Sequence, residues 1–365
     1  MFHYIMKRFI FFITIIFAAV LMMASSNDVA QLKEAEFYKK LDESAVQCTL
    51  CPNRCYLPEG MTGICRVRKN LDGTLYSLVY NKPVSVNIDP IEKKPLYHFY
   101  PGTTILSLAT VGCNMRCNFC QNWTISQSNP DKVRAYDATP EQIIELAKEY
   151  QCKSIAFTYT EPTVFFEYMI DIAKCAHEND IKTVWVTCGY INEEPLRELI
   201  PYLDAANIDL KGYSQDFYST YTTGSLDPVL RTIEICNEEG LYFEITNLVI
   251  PDANDDPIMI RAMCKWLKET IGTENPLHFS RFSPQFKLTN RPPTPVKSLE
   301  MAYEIAKNVG MKYVYLGNII SASEDTYCPN CGKKIIDRYG FTVQELHITD
   351  GKCDFCDYEI FGKFE

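Results

Sequence analysis

The chain of 365 residues contains no run of basic residues, and its formal net charge is −10. A general nucleic-acid binder needs a basic stripe that neutralises phosphates, so this composition argues against that class of protein. Hydrophobic residues make up 47% of the chain, which is enough to bury one large core or a core with small appendages. We therefore expect a globular protein with no nucleic-acid partner.

Cysteine is plentiful, and its distribution argues against a disulfide scaffold. Eleven of the 16 cysteines fall into three tight groups, which is typical of metal binding. A buried cysteine in an apolar or helical context packs as a small hydrophobic residue. We assign no role to the five scattered cysteines, which are Cys152, Cys175, Cys188, Cys236 and Cys264.

The central group lacks a fourth cysteine. Cys113, Cys117 and Cys120 stand in TILSLATVGCNMRCNFCQNW, and the next cysteine, Cys152, lies beyond a predicted helix. Zinc prefers paired knuckles with a fourth ligand nearby, so the spacing favours an iron–sulfur cube over a zinc site or three buried thiols. Three thiolates leave one iron of the cube without a protein ligand, and an open iron can bind a substrate or cofactor through N and O atoms.

This pattern resembles the signature of radical S-adenosylmethionine (SAM) enzymes, and the surrounding residues resemble the pyruvate formate-lyase activating enzyme group. YTEP at 159–162 occupies the place of that group's Gly-Gly-Glu-Pro motif, and NIDLK at 207–211 resembles its Asp-Leu-Lys strand. VIP at 249–251, with DD at 255–256, is similar to its next strand end. A closer resemblance is to the radical SAM member of the AmmeMemoRadiSam system, because both ends of the chain carry extra cysteine groups.

From residue 103 onward, short apolar segments alternate with amphipathic ones, which predicts an α/β protein with a parallel sheet and crossover helices. Thr139 before Pro140 predicts a helix start, and Ile143, Ile144 and Ala147 supply an apolar face. Spacing alone also allows an open doubly wound sheet. The resemblance implies a partial TIM-type (β/α)6 radical SAM barrel with small Cys-rich metal-binding appendages at both ends. The seven candidate strands are 104–111, 154–159, 183–188, 205–210, 242–250, 278–282 and 313–316.

These segments divide the chain into four predicted parts. They are a signal-like or membrane-anchor segment at 1–26, a Cys-rich N-terminal region at 27–102, the barrel at 103–320 and a zinc-ribbon-like module at 321–365. In a barrel or a doubly wound sheet, ligands bind at the carboxyl ends of the strands, so we expect the functional residues there.

The resemblance implies that Cys113, Cys117 and Cys120 hold a [4Fe–4S] cluster whose fourth iron binds the amino and carboxylate groups of SAM. Reduction then cleaves SAM to methionine and a 5′-deoxyadenosyl radical, which abstracts hydrogen from a protein or small-molecule substrate. Thr160 and Glu161, at a strand end, are candidates for binding the methionine ammonium group. The two glycines of the family motif are here Tyr159 and Thr160, although glycine allows a closer backbone approach.

Asp209 and Lys211 alternate along one predicted strand, so both point to the same face. Charged residues inside a parallel barrel are costly unless they pair or bind something, so we predict that they act in catalysis and contact SAM or the substrate. Arg281 ends the sixth candidate strand and matches a position where the family carries a His near the adenine. A surface salt bridge explains Arg281 equally well.

Two further cysteine groups flank the barrel. The C-terminal group forms two Cys-x2-Cys knuckles, which favours a closed structural zinc ribbon, with rubredoxin-like iron as the alternative. The N-terminal group fits zinc or a second iron–sulfur cluster, and its spacing does not discriminate; disulfides would form only in an exported chain. The residues are Cys328, Cys331, Cys353 and Cys356 at the C-terminus, and Cys48, Cys51, Cys55 and Cys65 at the N-terminus.

Residues 9–24, FIFFITIIFAAVLMMA, form an apolar run behind Lys7 and Arg8, as in a signal peptide or short membrane anchor. Positive charge before the run predicts the remainder on the outer side of the membrane, whereas an oxygen-sensitive cluster belongs in the cytoplasm. A start at Met22 or Met23, an anchor at the inner face and export of a folded protein all remain open. We expect the cytoplasmic side, with the run as a membrane tether.

The resemblance also implies protein partners. They are an electron donor such as ferredoxin or flavodoxin, and Memo-like and AMMECR1-like proteins. The competing interpretation of the chain is a non-catalytic iron–sulfur or zinc scaffold, or an electron-transfer protein, which would not bind SAM.

Overall fold

The computed structural model describes residues 32–319 and 324–365, and its centre is an eight-stranded sheet whose spatial order follows the chain order. The first two strands pair antiparallel and all later neighbours pair parallel. The strands are β1 (Ser85–Pro90), β2 (Thr104–Ala109), β3 (Ser154–Phe157), β4 (Lys182–Thr187), β5 (Ala205–Asp209), β6 (Tyr242–Val249), β7 (Leu277–Arg281) and β8 (Val314–Gly317).

The strand order decides between the two architectures that periodicity left open. A doubly wound sheet reverses its strand order at a switch point, whereas β2 to β7 each pair with the next parallel strand along the chain, as in a barrel. Within the described residues, β1 and β8 are the two edges of the sheet and do not pair, so the barrel is open. The predicted partial barrel is confirmed, and all seven candidate strands are present.

Six helices cross over between consecutive parallel strands, which gives six β/α units. They are α1 (Pro140–Glu149), α2 (Phe166–His177), α3 (Glu193–Leu199), α4 (Leu226–Glu238), α5 (Pro257–Ile271) and α6 (Val296–Val309). Shorter helical turns occupy Trp123–Ser126, Pro130–Lys132, Pro162–Phe165, Ile200–Tyr202, Gln215–Phe217 and Tyr218–Thr222.

The start of α1 shows how local sequence sets these bounds. Thr139 is its N-cap, and the Thr139 side chain and the Gln142 side chain each bond the other's backbone N–H in a capping box. The predicted apolar face of Ile143, Ile144 and Ala147 is buried. Helix start and helix face therefore agree with the sequence prediction.

The N-terminal region forms two small antiparallel sheets that share the barrel's core. One consists of Lys33–Glu34, Thr74–Ser77 and Arg68–Leu71, and the other of Tyr38–Lys40, Val46–Cys48 and Tyr56–Leu57. Val46, Leu57 and Leu75 are buried in the same hydrophobic cluster as the barrel residues. The region is thus continuous in packing with the barrel.

The C-terminal residues form a three-stranded antiparallel sheet of Thr326–Tyr327, Lys334–Tyr339 and Thr342–Leu346, followed by the pair Ile348–Thr349 and Lys352–Cys353. Arg338, which is buried, donates a hydrogen bond of 2.6 Å to the carbonyl of Tyr97 and lies 4.4 Å from the centre of the Tyr97 ring. Since Tyr97 precedes β2, this contact fastens the C-terminal sheet to the barrel.

The amino end of the barrel is closed by a buried polar network around Glu244 of β6. Its carboxylate accepts hydrogen bonds from the backbone N–H of Tyr97 and of His98, each at 2.8 Å, and contacts His278 Nε2 at 2.6 Å. Burial alone would raise the pKa of Glu244, but the hydrogen bond and charge of His278 and the backbone hydrogen bond from His98 lower it. The carboxylate of Glu244 is therefore fully hydrogen-bonded and the amino end is packed, so we look for a ligand site at the carboxyl ends of the strands.

The localisation prediction needs correction. Between residues 32 and 319 and between 324 and 365, the structure contains no helix whose length and apolar content would let it cross a membrane. The predicted membrane tether is therefore wrong for the part of the chain that is described. The apolar run at residues 9–24, on which that prediction rested, lies outside the described residues.

Candidate active site at the carboxyl ends of the strands

The three-cysteine loop follows β2 directly and is held by its neighbours on both sides. Gly112 adopts φ +103°, and a Cβ there would lie 2.7 Å from the carbonyl oxygen of Cys65, so only glycine fits. The Asn114 side chain donates to the carbonyl of Tyr190 at 2.7 Å, and its backbone carbonyl accepts from the Asn53 side chain at 2.8 Å. The loop is thus clamped between the N-terminal region and the barrel.

The predicted ligands lie close enough to influence one another's ionisation. Burial raises the pKa of the Cys113 thiol, and the neighbouring Cys117, Glu161 and Cys120 raise it further. Burial also raises the pKa of Cys117, which Lys211 partly opposes. Because ionised thiols here are costly without a positive partner, the donor set fits cationic iron. The loop can therefore hold a [4Fe–4S] cluster.

Asp209 is the last residue of β5, and Lys211 lies beyond the strand, which ends before the predicted alternation does. The Lys211 ammonium donates to Asp209 Oδ2 at 2.8 Å, with 15% and 35% of the two side chains exposed. Burial would lower the pKa of Lys211, but Asp209 and the thiols of Cys117 and Cys188 raise it well above its usual value. A positive charge therefore stands beside Cys117 at the end of β5.

Glu161 holds two strand ends together. Its Oε1 accepts from the Thr163 backbone at 3.1 Å, the Thr163 hydroxyl at 2.7 Å and the Thr187 hydroxyl at 2.8 Å, and its Oε2 accepts from the Cys188 N–H at 2.8 Å. A carboxylate oxygen accepts about two hydrogen bonds, so Oε1 is fully used. Glu161 is best described as a positioning residue that joins the end of β3 to the end of β4, and a ligand contact would fall to Oε2 or to the adjacent backbone.

The turn before Glu161 keeps a glycine-like conformation without glycine. Tyr159 adopts φ +64°, and its carbonyl accepts from the Asn122 side chain at 2.8 Å. Its hydroxyl donates to Asp89, and the Lys94 ammonium lies 4.5 Å from the centre of its ring. A left-handed non-glycine residue costs on the order of 1 kcal/mol, which these contacts offset. The departure from the family's glycine therefore preserves the turn.

The side chains of Thr160 and Arg281 each donate a hydrogen bond to a backbone carbonyl. The Thr160 hydroxyl donates to the Thr110 carbonyl at 2.9 Å, which ties this turn to the end of β2. The Arg281 Nε donates to the Thr294 carbonyl at 2.9 Å. Within residues 32–319 and 324–365, Arg281 forms no ion pair and makes no polar contact with the cysteine loop. The proposed surface salt bridge is therefore not found there.

Sequence reasoning missed Cys188 and Tyr218. Cys188 follows the last residue of β4, and burial, Glu161 and Cys113 raise the pKa of its thiol. Its position at a strand end was a signal that could have found it. The Tyr218 hydroxyl accepts from the backbone N–H of Lys211 at 3.2 Å and is buried in an irregular helical turn, for which local sequence gives no comparable signal.

The two outer cysteine groups differ in their geometry. The four C-terminal sulfurs lie within 4.8 Å of one another, with Cys328 to Cys356 at 3.6 Å and Cys331 to Cys353 at 3.9 Å. These values match the sulfur–sulfur edge of about 3.8 Å that follows from tetrahedral Zn–S bonds of about 2.3 Å. The C-terminal group can therefore bind a metal ion. The N-terminal group instead lines a pocket with Cys48, Cys51, Cys55 and Cys65 in its wall.

Comparison with known proteins agrees with this geometry. Residues 107–262 match the model of the radical SAM superfamily. An uncharacterised protein of Methanocaldococcus jannaschii is 47% identical over 332 residues, which cover 90% of this chain and 99% of that protein. The chain is also similar to the GTP 3′,8-cyclase of Clostridium perfringens, with 28% identity over 64% of this chain and 77% of the cyclase. Pyruvate formate-lyase-activating enzyme of Clostridium pasteurianum is 25% identical over 45% of this chain and 69% of its own length.

The chain belongs to the radical SAM superfamily. This conclusion rests on the match to the family model, on the three-cysteine loop and on the order of the strands that present the loop.

Proposed function

We propose that this protein binds a [4Fe–4S] cluster through Cys113, Cys117 and Cys120 and uses SAM to abstract a hydrogen atom from a protein or small-molecule substrate. When bound and reduced, the cluster supplies the electron that cleaves SAM into methionine and a 5′-deoxyadenosyl radical. The observation that carries the proposal is that the three-cysteine loop, which follows β2, and the Asp209–Lys211 ion pair, which ends β5, both lie at the carboxyl ends of the strands.

Lys211 and Asp209 have distinct roles in this proposal. Lys211 places a positive charge beside Cys117, where it offsets the negative charge of the thiolates. Asp209 Oδ2 is held by Lys211, while Oδ1 has no hydrogen-bond partner within the described part of the chain. Asp209, which is 35% exposed, can therefore accept a hydrogen bond from a hydroxyl or ammonium group of the cofactor or substrate.

The turn at residues 158–161 offers backbone groups for the methionine part of SAM. Glu161 and Thr160 tie it to the ends of β4 and β2, and the left-handed Tyr159 sets the direction of the peptide groups. Pre-positioned backbone groups of this kind bind an ammonium without reorganisation, which favours a fixed orientation of the bound methionine.

The names of the relatives support both substrate classes. One relative is named for a nucleotide, GTP, and another for activation of an enzyme, pyruvate formate-lyase. We retain a protein or a small molecule as the hydrogen donor, since a shared fold does not specify a substrate. The extra cysteine groups at both ends support the finer assignment to the AmmeMemoRadiSam system. With that assignment, we propose Memo-like and AMMECR1-like proteins as partners. We propose a ferredoxin or flavodoxin as the electron donor.

We further propose that the C-terminal group is a structural zinc ribbon. The support is its sulfur–sulfur distances, which suit four Zn–S bonds, and the absence of a remaining open position for a substrate once four thiolates are bound. Residues 324–365 contain five Lys or Arg and nine Asp or Glu, so nucleic-acid binding is disfavoured for this module.

Anaerobic reconstitution with iron and sulfide, followed by dithionite and SAM, tests the proposed activity. Methionine and 5′-deoxyadenosine should appear in equal amounts, and Cys117→Ala should abolish both. Cys175→Ala is the matched control, because Cys175 lies on α2 outside the three groups, and it should retain product formation. A wild-type protein that carries its iron and sulfide but yields no deoxyadenosine would refute the activity and favour the scaffold interpretation.

A further inference from the structure

We infer that Cys48, Cys51, Cys55 and Cys65 hold a second [4Fe–4S] cluster, closed by four protein thiolates, which lies against the three-cysteine loop and relays electrons to it. The existence of this site stands on its own geometry. Its role as a relay rests on the proposed function.

The four thiols converge on one pocket. Cys48, Cys51 and Cys65 are buried, and all four cysteines line one pocket, together with Leu50, Leu57 and Arg68. A Cβ built on Gly63 would lie 3.6 Å from the sulfur of Cys65 and 3.7 Å from that of Cys55, so these two sulfurs flank the same turn. The segment from Cys48 to Cys65 therefore folds so that all four cysteines border one pocket.

The C-terminal group provides an internal standard for a single ion. Its sulfurs lie 3.6 to 3.9 Å apart across two pairs, close to a zinc tetrahedron. Within residues 32–319 and 324–365, it is the one group of three or more such side chains gathered closely enough for one ion. Neither the N-terminal four nor the central three cysteines are gathered in that way.

A wider spacing is what a cubane requires. In a [4Fe–4S] cluster each thiolate binds a different iron atom of the cube. The thiolates therefore lie farther apart than four thiolates around a single zinc ion. Among the described residues, neither the N-terminal four thiols nor Cys113, Cys117 and Cys120 gather within 4.8 Å of one another, as the C-terminal sulfurs do. Such a looser group suits a second iron–sulfur cluster better than one zinc ion.

The pocket wall also supplies a buried cation. Arg68 lines the pocket, is 2% exposed and pairs with Glu167 at 2.9 Å. Its Nε is buried and has no hydrogen-bond partner within the described residues. An unpartnered buried N–H is costly, and cluster or thiolate sulfur can accept its hydrogen bond. A bound cluster would place negative charge beside this guanidinium.

The second site adjoins the catalytic loop. Asn53, between Cys51 and Cys55, donates to the Asn114 carbonyl at 2.8 Å, and Asn114 follows Cys113. The Cys65 carbonyl lies against Gly112. A cluster with four protein ligands has no open iron for a substrate, so electron transfer is the function left to it. One electron passes from a low-potential one-electron donor protein through this site to the catalytic loop, the donor is oxidised by one electron, and no atom is transferred.

Iron and sulfide analysis of a variant without the catalytic ligands tests the site. The full chain carrying Cys113→Ala, Cys117→Ala and Cys120→Ala should retain about four iron and four sulfide per chain after anaerobic reconstitution, with absorbance and an EPR signal on reduction. The N-terminal ligands are unchanged in this variant, so its content reports on them directly. Adding Cys51→Ser should remove the remaining sulfide. Two zinc ions with no sulfide, or no metal beyond one C-terminal ion, would overturn the inference.

Rates with two reductants test the relay. In Cys51→Ser, the ratio of deoxyadenosine formation driven by ferredoxin or flavodoxin to that driven by dithionite should fall about tenfold or more, because dithionite can reduce the catalytic site directly. An unchanged ratio would overturn the relay. If the wild-type protein forms no deoxyadenosine at all, the proposed function fails, whereas the iron content of the triple variant still decides whether the second cluster exists.

Discussion

His98 is buried where the amino end of the barrel meets the C-terminal module, and its burial predicts a measurable acid sensitivity. Nδ1 contacts the Phe361 carbonyl at 2.7 Å, and Nε2 contacts the Tyr315 hydroxyl, so a neutral ring that donates from Nδ1 satisfies both partners. Burial lowers the pKa of His98 to about 4 from an ordinary 6.5, which Glu244 opposes and Arg338 supports. The folded state therefore binds this proton less readily than the unfolded state does.

The sign and size of the effect follow from these two pKa values. Between pH 6.5 and pH 4 the unfolded chain holds more protons on His98, so the free energy of unfolding falls as the pH falls. One pKa unit corresponds to about 1.4 kcal/mol, so the loss is about 2 kcal/mol at pH 5 and about 3 kcal/mol below pH 4. Well above pH 6.5, His98 is neutral in both the folded and the unfolded state, so it does not affect how the free energy of unfolding changes with pH.

Urea unfolding at pH 7.5 and pH 5, followed by circular dichroism, measures this loss in matched variants. In His98→Gln, an amide can donate to Phe361 and accept from Tyr315 without titrating, so the loss between the two pH values should be smaller by about 2 kcal/mol than in wild type. His347→Gln, at a half-exposed histidine of the C-terminal module, should behave as wild type. Equal losses in wild type and His98→Gln would refute the reasoning.

Three further predictions concern single residues. Glu161→Gln should lower deoxyadenosine formation about tenfold or more, because it weakens the two hydrogen bonds to Thr187 and Cys188 that join the ends of β3 and β4, and two local bonds to Thr163. The exposed Glu145→Gln is its control, and chromatography of the products measures both variants. Tyr159→Phe should reduce the free energy of unfolding by about 1–2 kcal/mol, since Asp89 loses a buried partner, and equal stability in urea would contradict this. Cys328→Ser should lower zinc content and the thermal midpoint while leaving iron–sulfur absorbance unchanged; loss of that absorbance would show that the two sites are coupled.

The features that sequence predicted are those governed by local pattern. Alternating strand and helix periodicity identified all seven parallel strands, and the Thr139 cap located the start of α1. Asp209 ends β5 and forms an ion pair with Lys211, which lies just beyond the strand. Each of these depends on residues that are near one another in the chain.

The features that sequence did not predict depend on contacts between distant residues. Strand β1 has only weak alternation and ends at Pro90, which a sheet edge tolerates, so its antiparallel pairing emerged only from the fold. The left-handed Tyr159 depends on Asp89, 70 residues away. The buried pair between Arg68 and Glu167 spans 99 residues, and no local pattern identifies it.

The central claim is that one iron beside Cys113, Cys117 and Cys120 is open to SAM. Electron–nuclear double resonance of the reduced protein, with SAM labelled by ¹⁷O in its carboxylate, measures this directly. We expect a hyperfine coupling from the labelled oxygen in the wild-type protein. The coupling should disappear in Cys117→Ala and persist in Cys175→Ala. A fully loaded wild-type protein that binds labelled SAM but shows no such coupling would contradict it.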